Sequence, residues 1–213
     1  MDGMVASNDG TSNTFDLKSM FDQKDYFDIT VQLSGNRTIN CHRAVIAPQS
    51  RKFATNIRTQ YRSKTATIDL TGEDDEEAAY AMVAWTYSYK YNRNLLDNDK
   101  QLQWHIRMHK LAHKYGIDKL ITETLSNIQN QLRAAGIDIF LVPLRKAYES
   151  SGESGEQLVK MVNELLVLRL RDLVSKEEFW AVIRDHPGQS RGIIQRFAEE
   201  QAMEMDVCEF CGS

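Results

Sequence analysis

The sequence predicts an α+β fold: a small three-stranded sheet packed on a helix cluster, followed by an all-helical extension. Two observations predict it. Segments with β-branched or alternating side chains lie between residues 26 and 70, and apolar residues then recur at helical spacing along most of the chain. Early strands followed by many helices are typical of an α+β fold, whereas strands and helices alternate in a doubly wound parallel sheet.

Three strands are predicted in the first third of the chain. Residues 26–33 are rich in β-branched and aromatic side chains and end at a Ser-Gly-Asn turn signal, residues 34–36. Residues 37–41 then alternate polar and apolar, with Ile39 and Cys41 on one side. Cys41 is expected to lie in the core, because adjacent strand residues point to opposite faces and His42 is therefore turned away from it. The two segments are therefore expected to form a hairpin with a three-residue turn. A short third strand is expected at residues 67–70.

Helices are predicted on both sides of the third strand. Pro48 interrupts an apolar helical pattern and is expected to end one short helix and begin the next. Acidic residues 73–77 suit the N-terminus of a later helix, because the helix dipole favours negative charge there. The predicted inner stripe of that helix consists of Tyr80, Val83, Tyr87 and Tyr91.

The remainder of the chain is predicted to be helical. Gly116 is expected to end a helix in a left-handed conformation. Further helices are expected at residues 139–148, 158–174, 177–183 and 193–205. The Ser/Gly/Glu-rich residues 150–156 predict a flexible loop between the first two of them.

Composition excludes several classes of protein. A formal net charge of −4 argues against a dedicated nucleic-acid binder, which is usually strongly basic. Apolar runs are too short to span a bilayer, and residues 1–14 are polar and lack the apolar core of a signal peptide. Three cysteines, two of them near the C-terminal end, do not form a disulfide framework. The expected location is therefore a reducing compartment, the cytoplasm or the nucleus.

Five motifs, in order along the chain, resemble those of BTB/POZ domains. They are the strand at residues 26–31, the Cys-His-Arg junction at residues 41–47, Ser50 with Phe53, the Trp-Thr-Tyr-Ser motif at residues 85–88 with Tyr91, and the Ala-His-Lys-Tyr-Gly-Ile turn at residues 112–117 with Leu120. The resemblance covers residues 17–132. It is nearest to short BTB proteins of filamentous fungi, in which a helical tail also follows the domain.

The resemblance implies a domain organisation. A BTB/POZ domain is expected at residues 15–133, after a disordered segment at residues 1–14. A helical extension at residues 137–205 and a tail at residues 206–213 are expected to follow.

The resemblance also implies a function, that of a protein–protein interaction module. The chain is expected to be a homodimeric scaffold or adaptor that recruits partner proteins, such as a transcriptional or chromatin complex. A first alternative is a substrate adaptor of a cullin-type ubiquitin ligase. A second is a zinc-dependent assembly, or an enzyme, built around the histidine helix and the cysteine tail, or a transcription- or chromatin-associated factor. No catalytic residues come with the resemblance. The sequence has no phosphate-binding glycine loop, nucleophile elbow or paired carboxylates, so no enzymatic activity and no cofactor is expected.

Two groups of residues are candidates for the dimer face. Leu17, Met20 and Phe21 form a short apolar stripe at the position where BTB domains build this face. Asp28 and Arg43 match a charged pair that lines the dimer groove in some members. The alternative for this pair is purely structural, holding the hairpin to the following helix, since an unpaired buried charge is costly.

A cullin-binding motif is only partly present. The family's apolar-x-Glu triplet falls on Tyr61, Arg62 and Ser63, so the glutamate is replaced by serine. Weak or no cullin binding is therefore expected. The surrounding residues 43–68 contain six Lys or Arg and no acid before Ile68, which predicts either a docking face for an acidic partner or a solvated helix face.

Metal ligation is considered at two places. Cys208 and Cys211 form a C-x2-C-G knuckle, which is half of a four-cysteine zinc site; the alternative is a disordered tail with two free thiols. His105, His109 and His113 share one side of a helix. The glutamate of a zinc-protease motif is absent there, so a solvated helix flank is expected.

Overall fold

The computed structural model describes residues 16–60, 62–63, 66–91, 98–134, 136–149, 153–188, 190–195 and 198. In this part of the chain the strands are β1 (Ile29–Gln32), β2 (Thr38–Cys41) and β3 (Ala66–Asp69). The helices are α1 (Arg43–Ile46), α2 (Arg51–Thr59), α3 (Glu76–Ser88), α4 (Asn98–Tyr115), α5 (Asp118–Ala134), α6 (Ile137–Tyr148), α7 (Glu153–Val167), α8 (Leu170–Leu173) and α9 (Glu177–Asp185). Residues 190–195 are also helical, whereas most of the helix predicted at residues 193–205 lies outside the described residues. The predicted α+β fold is confirmed.

The three strands form one mixed sheet in the order β2-β1-β3. The central strand β1 pairs antiparallel with β2 and parallel with β3, and Ile29 lies opposite both Cys41 and Ala66. The turn between β1 and β2 spans Ser34–Asn36, with a left-handed Gly35 at φ 67°, which confirms the predicted three-residue turn. Both β2 and β3 are edge strands of this sheet.

One face of the sheet is buried and the other is polar. Ile29, Val31 and Ile68 are buried under the helices, whereas Gln32 and Thr67 are exposed. This follows from the alternation of side chains along a strand.

Turn and cap residues separate the helices where the sequence predicts. Pro48 lies in a short 3-10 helix, Ala47–Gln49, between α1 and α2. Gly116, at φ 62°, lies between α4 and α5. One prediction is wrong: α3 ends at Ser88, so Tyr91 is buried but does not belong to the stripe of that helix.

The apolar side chains form two clusters that meet at α4 and α5. The first cluster lies between the sheet and α1–α4 and extends to Leu120. The second lies among α6–α9, but it also contains Leu102 and Ile106 of α4 and Ile128 and Leu132 of α5. Because α4 and α5 contribute to both clusters, the helical extension shares its core with the helices before it.

Two details of the extension differ from prediction. The helix predicted at residues 158–174 is interrupted, since α7 ends at Val167 and α8 begins at Leu170. Residues 153–156 were expected in a loop but form the first turn of α7. Gly155 is buried there, so tertiary packing outweighs its poor helix propensity. No helix in the described ranges is long and apolar enough to cross a membrane.

Candidate interaction surface

The N-terminal segment docks on α3 of the same chain. Leu17–Met20 form one turn of 3-10 helix, capped by the carboxylate of Asp16, which accepts a hydrogen bond from the N–H of Lys18 at 3.0 Å. The ring centroid of Phe21 lies 5.5 Å from that of Tyr80 and 5.3 Å from that of Tyr87. These are ordinary aromatic packing distances, so the segment is fixed on the domain surface.

The predicted apolar stripe divides into two kinds of residue. Met20 and Phe21 are partly buried and pack against the first core cluster. Leu17 is half-buried without belonging to that cluster. Val45 of α1 and Tyr80 of α3 are also only partly buried and pack against the same cluster. The predicted dimer face of Leu17, Met20 and Phe21 is therefore a half-covered apolar segment that lies on α3, and its role in dimerisation stays a prediction.

Asp28 and Arg43 connect three segments of the chain. The main-chain N–H of Arg43 donates to the Asp28 carboxylate at 2.8 Å, and its Nε donates to the Asp28 carbonyl at 3.1 Å. Its Nη2 donates to the carbonyl of Ser63 at 2.9 Å. These bonds tie the start of β1 to α1 and to the segment after α2, as expected of a structural pair. A role of the same two residues at a dimer groove stays a prediction.

The residues matched to the cullin-binding triplet lie just after α2. Arg62 and Ser63 are exposed, and the N–H of Ser63 donates to the carbonyl of Gln60 at 3.0 Å. Tyr61 lies outside the described residues. Arg43 therefore ties the main chain of Ser63 to α1 at the surface, and the match of residues 61–63 to the cullin-binding triplet stays a prediction.

Gln60, which the sequence did not single out, clamps the edge of the sheet. Its Nε2 donates to the carbonyl of Thr67 at 2.9 Å, and the N–H of Thr67 donates to its Oε1 at 3.0 Å. A glutamine at a helix end carries no periodic signal, so only the folded structure shows this contact.

The basic residues of α2 border a shallow groove of about 410 Å3. Arg51 pairs with Asp118 at 3.1 Å, and Lys52 lies over the ring of Tyr115, 4.6 Å from its centroid. The basic surface is thus partly neutralised by contacts with its own chain.

The prediction of a solvated histidine flank is wrong for two of the three residues. His105 and His109 are 4% and 0% exposed. Nδ1 of His105 lies 2.9 Å from the Tyr91 hydroxyl, and Nδ1 of His109 lies 3.0 Å from the Thr124 hydroxyl. The reason is that α5 packs along this flank of α4, which the pattern of a single helix does not reveal. Burial lowers the pKa of His105 to about 4.

Cys41 is a core residue, as expected. It is fully buried, and burial raises the pKa of its thiol to about 12. A thiol with such a pKa stays protonated at neutral pH and is a poor nucleophile.

Within the described ranges, no group of three or more His, Cys, Asp or Glu side chains is placed to hold a metal ion. Cys208 and Cys211 lie outside those ranges, and zinc binding by them stays a prediction.

The mixed sheet, the hairpin joined to α1 and the packed helices define a small α+β domain with a helical extension. The family model of the BTB/POZ domain matches residues 17–132, more than half of the chain, so the protein belongs to the BTB/POZ family. No curated protein gives a significant match. BTB domains are generally protein–protein interaction modules that mediate dimerisation and partner binding, and they are not typically catalytic. The likeness to short fungal members stays a prediction.

Proposed function

We propose that this protein is a homodimeric scaffold that brings partner proteins together. The main observation in support of this proposal is that Leu17, on a segment that lies against α3, is a half-buried apolar residue outside the core of its own chain. A second copy that covers it together with the partly buried Met20 and Phe21 of the same segment removes further apolar surface from water, worth roughly 25 cal/mol per Å2. The family's general role in dimerisation supports this proposal.

Leu17 allows a sharper test of the dimer than its two neighbours in the stripe. Phe21 packs on Tyr80 and Tyr87, so a charge at this position disturbs the fold as well as any interface. Leu17→Asp places the charge at a position that does not pack against the core cluster. We expect it to weaken dimerisation at least about tenfold, equivalent to about 1.4 kcal/mol.

The matched control is Lys18→Ala, which changes an exposed residue of the same turn. Sedimentation velocity over a dilution series measures the association of both variants and the wild type. Dimerisation of Leu17→Asp as strong as that of the wild type, with folding confirmed by circular dichroism, would place the interface elsewhere.

We assign the recruitment of partners to the helical extension. Among its described residues, three large apolar side chains are notably exposed: Leu168, Trp180 and Ile194, at 78%, 42% and 52%. Exposed apolar side chains of this size are typical anchors of protein interfaces. Affinity purification with quantitative mass spectrometry should lose specific partners in the Trp180→Asp variant and keep them in Glu178→Gln. An identical partner set for Trp180→Asp and the wild type contradicts this assignment.

Adaptor activity in a cullin ligase is the second candidate, and we expect it to be weak. Ser63 stands where a glutamate would accept a charge-assisted hydrogen bond, and such a bond is worth about 1.5–3 kcal/mol. Its loss corresponds to a roughly 10- to 150-fold lower affinity. Ser63→Glu should recover part of it, because Arg43 already holds the main chain of this residue in place.

Isothermal titration calorimetry with a cullin N-terminal domain measures the binding affinity of the wild type and of Ser63→Glu. Submicromolar binding by the wild type, unchanged in Ser63→Glu, would show that the family's triplet does not fall on residues 61–63.

A further inference from the structure

The outer edge of β3 carries main-chain groups that face away from the sheet. The N–H groups of Ala66 and Leu70 donate to the carbonyls of Asp28 and Gln32, on the side of β1. Main-chain groups alternate in direction along a strand, so those of Thr67 and Asp69 point outward. Both residues are exposed. Such an edge is a template for pairing with another strand.

The side chain of Gln60 occupies this edge in the manner of a neighbouring strand. In a hydrogen-bonded antiparallel pair, two residues exchange both of their N–H···O bonds. Gln60 makes the same exchange with Thr67, at 2.9 and 3.0 Å, using its carboxamide in place of a peptide group.

The opposite edge of the sheet, strand β2, is closed by a different contact. The N–H of Asn40 in β2 donates to the carboxylate of Asp22 at 2.9 Å. Asp22 adopts a left-handed φ of 56°. The carboxylate of Asp22 also repels an approaching strand by its charge and its hydration, whereas the neutral amide of Gln60 only fills the hydrogen bonds of Thr67. The exposed carboxylate of β3 itself, Asp69, is turned to Thr71, from whose N–H and hydroxyl it accepts hydrogen bonds at 2.8 and 2.6 Å. The β3 edge is therefore closed by contacts that another main chain can replace one for one.

We propose that the β3 edge is a self-association surface for a second copy of this chain, and that Gln60 keeps it closed. The two β3 strands pair antiparallel about a twofold axis at Thr67, so each Thr67 exchanges two hydrogen bonds with the other. Thr67 and Ile68 are β-branched and favour an extended pairing. With Gln60 in place, association replaces two hydrogen bonds by two others and gains little. Without it, pairing supplies bonds that only water otherwise provides.

This surface is distinct from the proposed dimer face at Leu17, so the two proposals are tested separately. Gln60→Ala removes the clamp, and Gln60→Glu removes the donor to Thr67 but leaves a charged group at the edge. We expect Gln60→Ala to associate beyond the state of the wild type at about 10–200 µM, a range that populates weak interfaces. We expect Gln60→Glu to have the same association state as the wild type over this range.

The association constant of Gln60→Ala should rise at least about tenfold in sedimentation velocity. Asn130→Ala, which removes an exposed side-chain amide of α5, is the matched control and should change nothing. Thr67→Pro added to Gln60→Ala removes the outward N–H, which an edge strand tolerates, and should abolish the new association. Adding Gln60→Ala to the Leu17→Asp variant should raise its association constant by the same factor, independently of the effect of Leu17→Asp on the proposed dimer face.

Hydrogen exchange of the Thr67 amide provides an independent readout. At high dilution we expect faster exchange in Gln60→Ala than in the wild type, and recovered protection at high concentration. A mass for folded Gln60→Ala equal to that of the wild type across the whole range overturns the proposal. If Gln60→Ala is shown by circular dichroism not to fold, Gln60→Ser serves in its place and is judged by the same criterion.

Discussion

Ser50 shows how one buried hydroxyl joins two parts of the domain. It accepts a hydrogen bond from the N–H of Phe53 at 3.1 Å, as the N-cap of α2, and donates to the carbonyl of Tyr115 at 2.6 Å. The residue is 1% exposed. Ser50→Ala leaves both partners without this bond, so we predict a loss of about 1–3 kcal/mol in the free energy of unfolding.

Urea denaturation followed by circular dichroism measures this loss. Ser175→Ala, at an exposed serine that donates to the carbonyl of Asp172, is the control and should cost less than about 0.5 kcal/mol. Equal midpoints for the two variants contradict the prediction.

His105 gives stability a specific pH dependence. Its pKa in the folded protein is about 4, lowered by burial from the ordinary value of 6.5. Above pH 6.5 the imidazole is neutral in both states and the pH has no effect through this group. Between 6.5 and 4 the unfolded chain binds the proton more readily, so folding stability falls as the pH falls. We predict a loss of up to about 3 kcal/mol from this residue.

His105→Asn isolates this effect. Asparagine keeps a polar atom near the Tyr91 hydroxyl but does not titrate in this range. Unfolding free energies measured from pH 7 to 4 should fall less steeply in the variant than in the wild type. Parallel curves for the two proteins would show that His105 titrates normally in the folded state.

At the residue scale, sequence reasoning succeeded where one residue type is tied to one local geometry. Gly116 was predicted from its ability to adopt a positive φ, and Cys41 from its place in an alternating strand. It failed for His109, whose burial is decided by α5, and for Gln60, whose partner lies across a turn in β3. Contacts between elements leave no periodic signal along one element.

At the scale of elements, α4 and α5 link the domain to its extension. Their residues Leu102, Ile106, Ile128 and Leu132 are 0–3% exposed because α6–α9 cover them. A fragment that ends at residue 134 uncovers these four side chains. We predict that the fragment is less stable than the full chain by several kcal/mol and binds a hydrophobic dye, since burying a large aliphatic side chain is worth roughly 1.5–3 kcal/mol.

The control is the same fragment with the four residues replaced by polar ones, which should bind less dye at equal helix content. Thermal unfolding and dye fluorescence are the measurements. A fragment as stable as the full chain, without dye binding, would show that the two clusters are independent.

Element order was predictable and element limits in the extension were not. The strands and α1–α5 follow strong local signals, such as Pro48 between two helices. No proline or glycine marks the break between α7 and α8 in the sequence. Here the second core cluster sets the helix ends, as tertiary packing often does.

At the scale of the whole molecule, the BTB fold leaves a half-covered apolar face at one place and exposed apolar residues at another. The first includes Leu17, on the segment that lies against α3, and the second includes Trp180 on the extension. A scaffold needs two such surfaces, one to bring its own copies together and one to hold a partner. The family resemblance predicts the first as a dimer face, whereas Trp180 is identified only by its exposure in the structure.

The central claim, that the protein works as a homodimer, is tested most directly by its mass in solution. Sedimentation equilibrium of the wild-type chain at about 50 µM, far above the Kd of a typical specific interface, is the measurement. We predict a mass twice that of the single 24.5 kDa chain. A mass of 24.5 kDa at this concentration would contradict the claim.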